Sequence, residues 1–202
     1  MPTMQDIIVE PPGIGTLFDP AGLFTDNRPI ELEIGCGKGG FLLRRARECP
    51  DRGFVGIEWA GKFFKFAADR MARWGITNVR IMRTDARHLF VHQMAAGCLT
   101  ALHVYHPDPW PTKRHHKRRL FTDAFVDRAV AALRSGARWA VQTDHAEYFE
   151  WIRAHVAPRP ELIEIPYDDP SFGIIDEEAG TNFEVKYLRE GRPIYRVAYK
   201  RK

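Results

Sequence analysis

The stretch Pro29-Ile-Glu-Leu-Glu-Ile-Gly-Cys-Gly-Lys-Gly-Gly40, which continues into Phe41-Leu-Leu-Arg-Arg-Ala-Arg-Glu48, determines the fold class of this chain. Its first part predicts a short strand, its glycines predict a tight turn, and its last part predicts a helix. Glycines allow such a turn and let the backbone approach a ligand closely. Strand, glycine turn and helix together form the first half of a nucleotide-binding α/β unit.

Two cofactors fit the spacing of the glycines. Gly35, Gly37 and Gly40 satisfy G-x-G-x-x-G, the dinucleotide fingerprint. Gly35, Gly37 and Gly39, with Glu33 two residues ahead, satisfy E-x-G-x-G-x-G, the first motif of S-adenosylmethionine-dependent methyltransferases. The glycines alone do not decide, and a glycine turn without a ligand is a third possibility. Glu33 favours S-adenosylmethionine, because an acid is unfavourable beside a pyrophosphate but favourable beside a cationic methionine group.

Acidic residues also follow the next two predicted strands. Glu58 ends the strand 53–58, 23 residues after the first glycine of the turn, a distance that suits hydrogen bonds to ribose hydroxyls. Asp85 follows the strand 78–82, where it is typical either of a helix cap or of an acid that binds the adenine amine. Because the carboxyl ends of parallel strands meet at one edge, Glu33, Glu58 and Asp85 are expected to converge.

Strands and helices alternate along most of the remaining chain, which predicts a mostly parallel, doubly wound sheet. The late strands have no helix between them, so the last one is expected to be antiparallel. Asp144 is expected to cap the helix that follows it. The predicted strands are 29–35, 53–58, 78–82, 99–105, 137–142, 162–165 and 194–199, and the predicted helices are 41–48, 60–74, 120–133 and 146–156.

A second informative stretch is His106-Pro-Asp-Pro-Trp-Pro-Thr-Lys-Arg-His-His-Lys-Arg-Arg119. Its prolines exclude a helix, so Asp108 is expected in a stiff loop directly after the strand 99–105. Five permanent cations follow within the seven residues 113–119. A rigid carboxylate beside these cations indicates a reactive group next to an anion-binding surface. At this point a proline-rich surface loop before a basic helix is an equally good interpretation. Trp110 is expected to pack beneath the loop, with stacking on a base as the alternative.

Composition limits the class of protein. The 202 residues fit one domain, and the net charge of +4 with a pI near 9.0 points weakly to a polyanionic partner. The three cysteines have no paired spacing, which argues against a disulfide framework and against a zinc knuckle. No apolar run approaches the length of a membrane span, and no signal-peptide pattern opens the chain. We therefore expect a cytoplasmic protein with no metal and no membrane contact.

With these motifs in place, the chain resembles the bacterial tRNA (guanine-N7-)-methyltransferase family over about residues 28–200. The first motif is shared by many methyltransferases, whereas the combination of P-D-P-W-P, R-H-x-K-R-R and a late T-x-F-E is specific. The segments that carry the resemblance are Glu33-Ile-Gly-Cys-Gly-Lys-Gly39, Gly56-Ile-Glu58, Thr84-Asp-Ala86, Pro107-Asp-Pro-Trp-Pro111, Arg114-His-His-Lys-Arg-Arg119, Thr143-Asp144 and Thr181-Asn-Phe-Glu184.

The resemblance implies an enzyme that transfers a methyl group from S-adenosylmethionine to N7 of a guanine in tRNA, in the variable loop. It implies a Rossmann-like class I α/β fold with a mostly parallel seven-stranded sheet and an antiparallel last strand. The domain is 29–202, preceded by an irregular N-terminal lead-in, 1–28. The partner is tRNA, and the protein is a monomer or a homodimer.

The resemblance also implies roles for individual residues. The catalytic or substrate-positioning carboxylate is Asp108. The cofactor site consists of Glu33, Gly35, Gly37, Gly39, Glu58, Asp85, Ala86 and Asp108. RNA is bound by Lys113, Arg114, His115, His116, Lys117, Arg118 and Arg119, and the substrate nucleotide is contacted by Asp144, Thr181, Asn182, Phe183 and Glu184.

Two features depart from the family pattern. Family members usually have a lysine four residues after the motif aspartate, where this chain has Thr112, followed by Lys113. Whether Lys113 takes over the role of that lysine is open. The N-terminal lead-in is also short, so RNA contacts that longer N-termini make are not expected here.

Three other functions are compatible with parts of the sequence. One is a methyltransferase acting on another RNA or on a small molecule, and another is an RNA-binding module with a vestigial cofactor fold. The intact set of acids at the predicted strand ends argues against such a loss. A nicotinamide-dependent oxidoreductase would need a catalytic Tyr–Lys pair near the cofactor. The nearest candidate, Lys186-Tyr187, falls in the late hairpin, away from the strand ends.

Overall fold

Eight β-strands form one sheet in the part of the chain that the computed structural model describes, residues 1–172 and 188–202. The strands are β1 (Ile8–Val9), β2 (Ile30–Ile34), β3 (Gly53–Ile57), β4 (Val79–Met82), β5 (Leu99–Tyr105), β6 (Leu133–Thr143), β7 (Leu162–Ile165) and β8 (Tyr195–Arg201). The α-helices are α1 (Met4–Ile7), α2 (Gly40–Glu48), α3 (Gly61–Arg73), α4 (Ala86–His92), α5 (Asp123–Ala132) and α6 (Ala146–Val156). Short 3-10 helices span Pro20–Leu23, Lys113–Arg118 and Pro170–Phe172.

The order of the strands in the sheet is β1-β4-β3-β2-β5-β6-β8-β7. Every neighbouring pair is parallel except those of β8, which runs antiparallel to both β6 and β7. The predicted mostly parallel sheet with an antiparallel last strand is therefore confirmed. The sheet has eight strands among the described residues where seven were expected, because β1 in the lead-in pairs with β4. The chain runs outward from β2 to β3 and β4, then returns to place β5 on the other side of β2. This reversal between β2 and β5 is the topological switch point, where α/β sheets bind their ligands.

The sheet is covered on both faces. Along β2, Leu32 and Ile34 pack into a large cluster on one face, together with side chains of α5 and α6 such as Phe125 and Ile152. On the opposite face, α2 and α3 form a second cluster that includes Phe41 and Met71. Because side chains alternate along a strand, Glu31 and Glu33 project toward this second face.

A buried cluster of charged residues joins β2 and β5 at the switch point. Glu31 accepts from Arg52 at 2.5 Å and from Nε2 of His103 at 3.0 Å, and Arg45 lies 3.5 Å away. Nδ1 of His103 lies 2.8 Å from the hydroxyl of Tyr105. Burial alone would raise the pKa of Glu31, but the hydrogen bond from His103 and the neighbouring cations lower it to about 2. Glu31 is thus an ionised carboxylate in the core, as a buried charge with several charged donors can be.

The glycine turn requires glycine for two different reasons. Gly35, Gly37 and Gly39 all have positive φ, at 75°, 54° and 68°. A Cβ on Gly39 would also stand 2.8 Å from Cε of Met71 and 3.2 Å from Cβ of Ala67, so Gly39 lets α2 begin close against α3. The turn is anchored from β3, where the carbonyl oxygen of Ile57 accepts from the N–H groups of Gly35 at 2.8 Å and the next residue at 3.1 Å.

The N-terminal lead-in contains more regular structure than its composition predicts. It includes α1, with Ile7 fully buried, and the two-residue strand β1, which extends the sheet beside β4. Phe18 forms a parallel bridge with Met94 and is 7% exposed. Ile7 and Phe18 dock this segment onto residues that lie far away in the sequence. Composition alone does not reveal such contacts.

Among the described helices, none has both the length and the apolar character that crossing a membrane would require.

Candidate active site

A cavity of about 460 Å³ opens at the carboxyl ends of β2, β3, β4 and β5. It lies at the switch point, between the glycine turn on one side and the loop that follows β5 on the other. Gly35 and Gly37 line this cavity. Gly39 does not line it, because it lies where α2 packs against α3. The lining residues are Ile34, Gly35, Gly37, Ile57, Glu58, Trp59, Ala60, Phe63, Thr84, Asp85, Ala86, Arg87, Tyr105, His106, Pro107, Asp108, Trp110, Arg118 and Leu120.

Glu58 lines the cavity and holds two backbone groups in place. Its Oε2 accepts from the N–H of Gly37 at 2.8 Å, and its Oε1 accepts from the N–H of Ala60 at 2.7 Å. One carboxylate therefore ties the glycine turn to the start of α3. Each oxygen keeps a second acceptor position, so the side chain can still bind a ligand hydroxyl.

Asp85 combines the two roles that its position in the sequence allows. Its Oδ1 accepts from the N–H of His88 at 3.0 Å, so it is the N-cap of α4. Asp85 and the following Ala86 also line the cavity. The cap fixes the direction of the carboxyl group and leaves its other oxygen available.

Glu33 does not line the cavity. This differs from the expectation that Glu33, Glu58 and Asp85 converge at one site. It is 2% exposed and lies in register with Gly56 and His103. Its Oε2 has no hydrogen-bond partner among residues 1–172 and 188–202. Burial, together with the nearby charge of Glu58, raises the pKa of Glu33 from 4.5 to about 8. A buried acid without a partner is costly, so it is the kind of group that a ligand cation would satisfy.

Asp108 lies in a strained loop directly after β5. The residues that flank its two prolines, His106 and Trp110, have positive φ values of 51° and 42°. Left-handed backbone in residues of this kind costs about 1–3 kcal/mol each and persists only where the surroundings enforce it. Asp108 itself is exposed and lines the cavity. The loop therefore fixes one carboxylate at the mouth of the site.

Arg119 enforces the conformation of this loop. It is fully buried, its Nε donates to the carbonyl of Pro109 at 2.9 Å, and its other two nitrogens donate to Glu147 at 3.0 and 2.5 Å. The guanidinium also lies 4.9 Å from the ring centroid of Tyr148 and 4.7 Å from that of Trp151. The expectation that Arg119 binds RNA is corrected here, because this guanidinium is enclosed by protein.

The other cations of the stretch form an exposed basic strip on the 3-10 helix Lys113–Arg118, for which Thr112 is the N-cap. The two histidines pack inward: His115 lies 5.9 Å from Trp110 and His116 lies 5.5 Å from Trp151, between ring centroids. The exposed members of the basic strip are Lys113, Arg114, Lys117 and Arg118.

Trp110 takes part in both the loop and the cavity. The guanidinium of Arg118 lies 4.9 Å from its ring centroid, and the tryptophan also contributes to the cavity wall. The expectation that Trp110 packs within the loop agrees with these contacts. Its ring nevertheless borders the space in which a ligand would lie.

Asp144 does not cap α6. The cap is His145, whose Nδ1 accepts from the N–H of Tyr148 at 3.2 Å. Asp144 instead pairs with Arg192 at 3.1 Å and lies 3.8 Å from Nδ1 of His106, beside the Asp108 loop. The substrate-contact residues expected at 181–184, and the pair Lys186-Tyr187, lie outside the described residues.

Several residues of the cavity had not been predicted from the sequence. Trp59 and Phe63 follow Glu58 at the start of α3, and Tyr105 ends β5. Arg87 lines the cavity and donates to the carbonyl of Lys117 at 2.9 Å, which connects α4 to the basic strip. Their one signal in the sequence is that each stands within a few residues of a predicted strand end. Within the described ranges, no group of three or more His, Cys, Asp or Glu side chains is arranged to hold a metal ion.

The sheet order and a cavity at the switch point define the class of protein, an α/β protein with the Rossmann-like fold of methyltransferases. A solved S-adenosylmethionine-dependent O-methyltransferase from Thermotoga maritima superposes with a TM-score of 0.57. That likeness covers 86% of this chain and 59% of the other, at 16% identity, and it concerns the fold alone.

The family follows from sequence. A family model described as "Putative methyltransferase" matches residues 27–197. The tRNA (guanine-N(7)-)-methyltransferase of Rhodopirellula baltica is 33% identical over 89% of this chain and 69% of its own length. That of Geobacter metallireducens is 30% identical over 96% of this chain and 92% of its own length. The chain belongs to the tRNA (guanine-N(7)-)-methyltransferase family.

The Arg119 contacts predict a difference between two substitutions. Arg119→Met removes the donor to the Pro109 carbonyl and the contacts with two rings, and should lower the free energy of unfolding by about 2 kcal/mol. Glu147→Gln removes the charge of a partner that is 55% exposed but keeps a side-chain oxygen that can accept from Arg119, and should cost about 1 kcal/mol. Urea denaturation of both variants provides the measurement. If both variants lost the same free energy of unfolding, Arg119 would stabilise the protein mainly through its ion pair with Glu147 and not through its hydrogen bond to the Pro109 carbonyl.

Proposed function

We propose that this protein transfers the methyl group of S-adenosylmethionine to N7 of a guanine in tRNA. The observation that supports this most directly is the placement of Glu58, Asp85 and Asp108 around one cavity, in a chain that belongs to this family. The exposed basic strip borders the same cavity through Arg118. The resemblance of the motifs further suggests that the guanine lies in the variable loop of the tRNA.

The residues of the cavity fit S-adenosylmethionine. Gly35 and Gly37 present backbone without side chains, while Glu58 and Asp85 offer acceptors for hydroxyl and amino groups. A cavity of about 460 Å³ lies within the usual range for small-molecule sites. Behind the glycine turn, the unpartnered oxygen of Glu33 matches the need of a methionine ammonium group for an anion.

When bound, S-adenosylmethionine supplies an activated methyl group on a cationic sulfur. Guanine N7 carries an in-plane lone pair and no proton, so its methylation requires no general base. The protein's contribution is then to orient the base, to exclude water and to stabilise positive charge. Apolar side chains of the wall, such as Ile34, Ile57 and Phe63, suit the exclusion of water.

Asp108 is the residue that we assign to the base. Its carboxylate can accept from the N1–H or the amino group of guanine, and it favours the cationic methylated product. The strained loop and Arg119 hold the main chain on both sides of Asp108, so little reorganisation is needed when the base arrives. Asp144, next to His106, is placed to support the same loop and is the second acid that we assign to substrate contact.

The basic strip suits the phosphates of tRNA. Lys113, Arg114, Lys117 and Arg118 are exposed and carry permanent charge, which gives affinity and fast association without reading sequence. Lys113 stands next to Thr112 and is exposed, so it is available to take the role of the lysine that the family usually has one residue earlier.

Incubation of the purified protein with methyl-labelled S-adenosylmethionine and unmodified tRNA tests the proposal. We expect label in tRNA, and nucleoside digestion should release it as N7-methylguanosine. Cleavage of the methylated strand at the modified base would locate the guanine. Absence of transfer, or label on a different atom, would refute the proposed reaction, and label outside the variable loop would correct the position alone.

Substitution of Asp108 separates catalysis from binding. Asp108→Asn keeps the shape of the side chain but removes its charge, so turnover should fall roughly a hundredfold or more, while tRNA affinity changes little. Asp51→Asn, at an exposed site beyond α2, provides a matched loss of one negative charge. Single-turnover rates and tRNA binding would be measured for both. If Asp108→Asn turned over as fast as the control, Asp108 would be only a structural loop residue.

Glu33 links stability to pH. Its folded pKa is raised, so the unfolded state loses the proton first and the wild type should lose stability as pH rises from about 4.5 to about 8. Glu33→Gln does not titrate, and its stability relative to the wild type should therefore increase across this window. The same variant should bind S-adenosylmethionine about tenfold or more weakly, because it cannot pair with the ammonium group. Denaturation at several pH values and calorimetric titration would measure both effects, and unchanged affinity would remove Glu33 from the cofactor site.

A further inference from the structure

A cationic surface with exposed aromatic rings lies on α2 and α3, outside the cavity. We call it the basic–aromatic face. A groove of about 460 Å³ runs between its two helices. The face consists of Lys38, Arg44, Arg47, Phe66, Arg70 and Trp74, and the groove is lined by Gly40, Leu43, Arg44, Arg47, Glu48 and Arg70.

Three cations of this face have no acidic partner within the described residues. Lys38 and Arg47 are exposed, Arg70 is half-exposed, and none of the three forms an ion pair within the described part of the chain. The acidic side chain in the groove wall, Glu48, lies 3.4 Å from Arg45 at the buried side of α2. The groove is therefore electropositive and suited to an anion.

Both aromatic rings of this face are exposed to solvent. Phe66 is 43% exposed and Trp74 is 58% exposed, whereas Phe64 is buried. Nζ of Lys38 lies 5.7 Å from the ring centroid of Phe66, and the guanidinium of Arg47 lies 5.4 Å from that of Trp74. Exposed rings with cations beside them are the combination that binds RNA, since phosphates meet the cations and bases stack on the rings.

The face is continuous with the active-site cavity. Lys38 lies in the glycine turn directly after Gly37, and Arg70 donates to its carbonyl at 3.3 Å. Phe63 lines the cavity and begins a row on α3 that continues through Arg70 to Trp74, about 16 Å along the helix axis. The basic strip borders the cavity at its other side through Arg118. The cavity thus lies between two cationic surfaces.

We propose that the basic–aromatic face is a second RNA-binding surface, which holds the ribose–phosphate backbone of the tRNA substrate away from the methylated guanine. Phosphates bind in the groove at Arg47 and Arg70, and an unpaired base or the edge of a terminal base pair stacks on Trp74. The two cationic surfaces then hold the RNA on either side of the cavity. This inference rests on the proposed function, because its ligand is the same tRNA.

The test uses the full-length protein and two double variants. Arg47→Gln/Arg70→Gln removes two charges from the face. Arg134→Gln/Lys200→Gln removes two exposed charges near the start of β6, at the edge of the sheet opposite the cavity. Dissociation constants for unmodified tRNA are measured over a range of salt concentrations. The face variant should bind about tenfold more weakly at low salt, and its salt slope should be smaller by about one to two. The control should match the wild type.

Because Arg70 also contacts the carbonyl of Lys38, the single variant Arg47→Glu is included, and binding of S-adenosylhomocysteine is measured for every variant. Weaker tRNA binding with unchanged S-adenosylhomocysteine binding supports the inference. If the face variant binds tRNA as tightly as the control does, the inference is overturned. The proposed function still stands in that case, provided that the wild type methylates N7.

A wild type that binds tRNA without methylating it refutes the proposed reaction. A loss of tRNA affinity in the face variant, but not in the control, would then still support the inference. A wild type that does not bind tRNA refutes both.

Discussion

The site depends on the contact between β2 and β5, where the chain reverses its direction across the sheet. At this boundary Glu31 is ionised and buried, and it accepts hydrogen bonds from His103 on β5 and from Arg52. The chain leaves the carboxyl ends of β2 and β5 toward opposite faces of the sheet, which opens a crevice between the two connections. Fixing these two strands side by side therefore also fixes the crevice. Replacing Glu31 by a neutral residue would remove the carboxylate that His103, Arg45 and Arg52 share, which is costly in a core.

On each wall of the crevice, one charged side chain forms hydrogen bonds with main-chain groups. At the glycine turn, the carboxylate of Glu58 accepts from the N–H groups of Gly37 and Ala60. At the loop after β5, the guanidinium of Arg119 donates to the carbonyl of Pro109. Backbone held in this way does not need to reorganise when ligands bind, which is how a preorganised site lowers a barrier.

Local sequence patterns predicted the strands and helices, but not the contacts between residues that are distant in sequence. The strands 99–105 and 162–165 and the helix 146–156 have the predicted bounds, because apolar periodicity is a property of the segment itself. The rule that strand ends converge placed Glu58 and Asp85 correctly at the cavity, but Glu33 does not line it. Asp108, which follows β5, lines the same cavity. Arg119 was misread because a buried guanidinium looks the same in sequence as an exposed one, and its partners Glu147 and Trp151 lie about thirty residues away. The strand β1 and the exposure of Phe66 likewise depend on packing that no local pattern records.

The left-handed backbone at His106 and Trp110 has a consequence for attempts to engineer this protein. Glycine at either position would relieve the strain, so a screen that selects for heat resistance alone would be drawn to these two sites. Each such change would also loosen the segment that holds Asp108 at the mouth of the cavity. If Asp108 has the role proposed for it, the thermostable variants recovered from that screen would include poor catalysts, and selection for turnover would have to be applied in the same round.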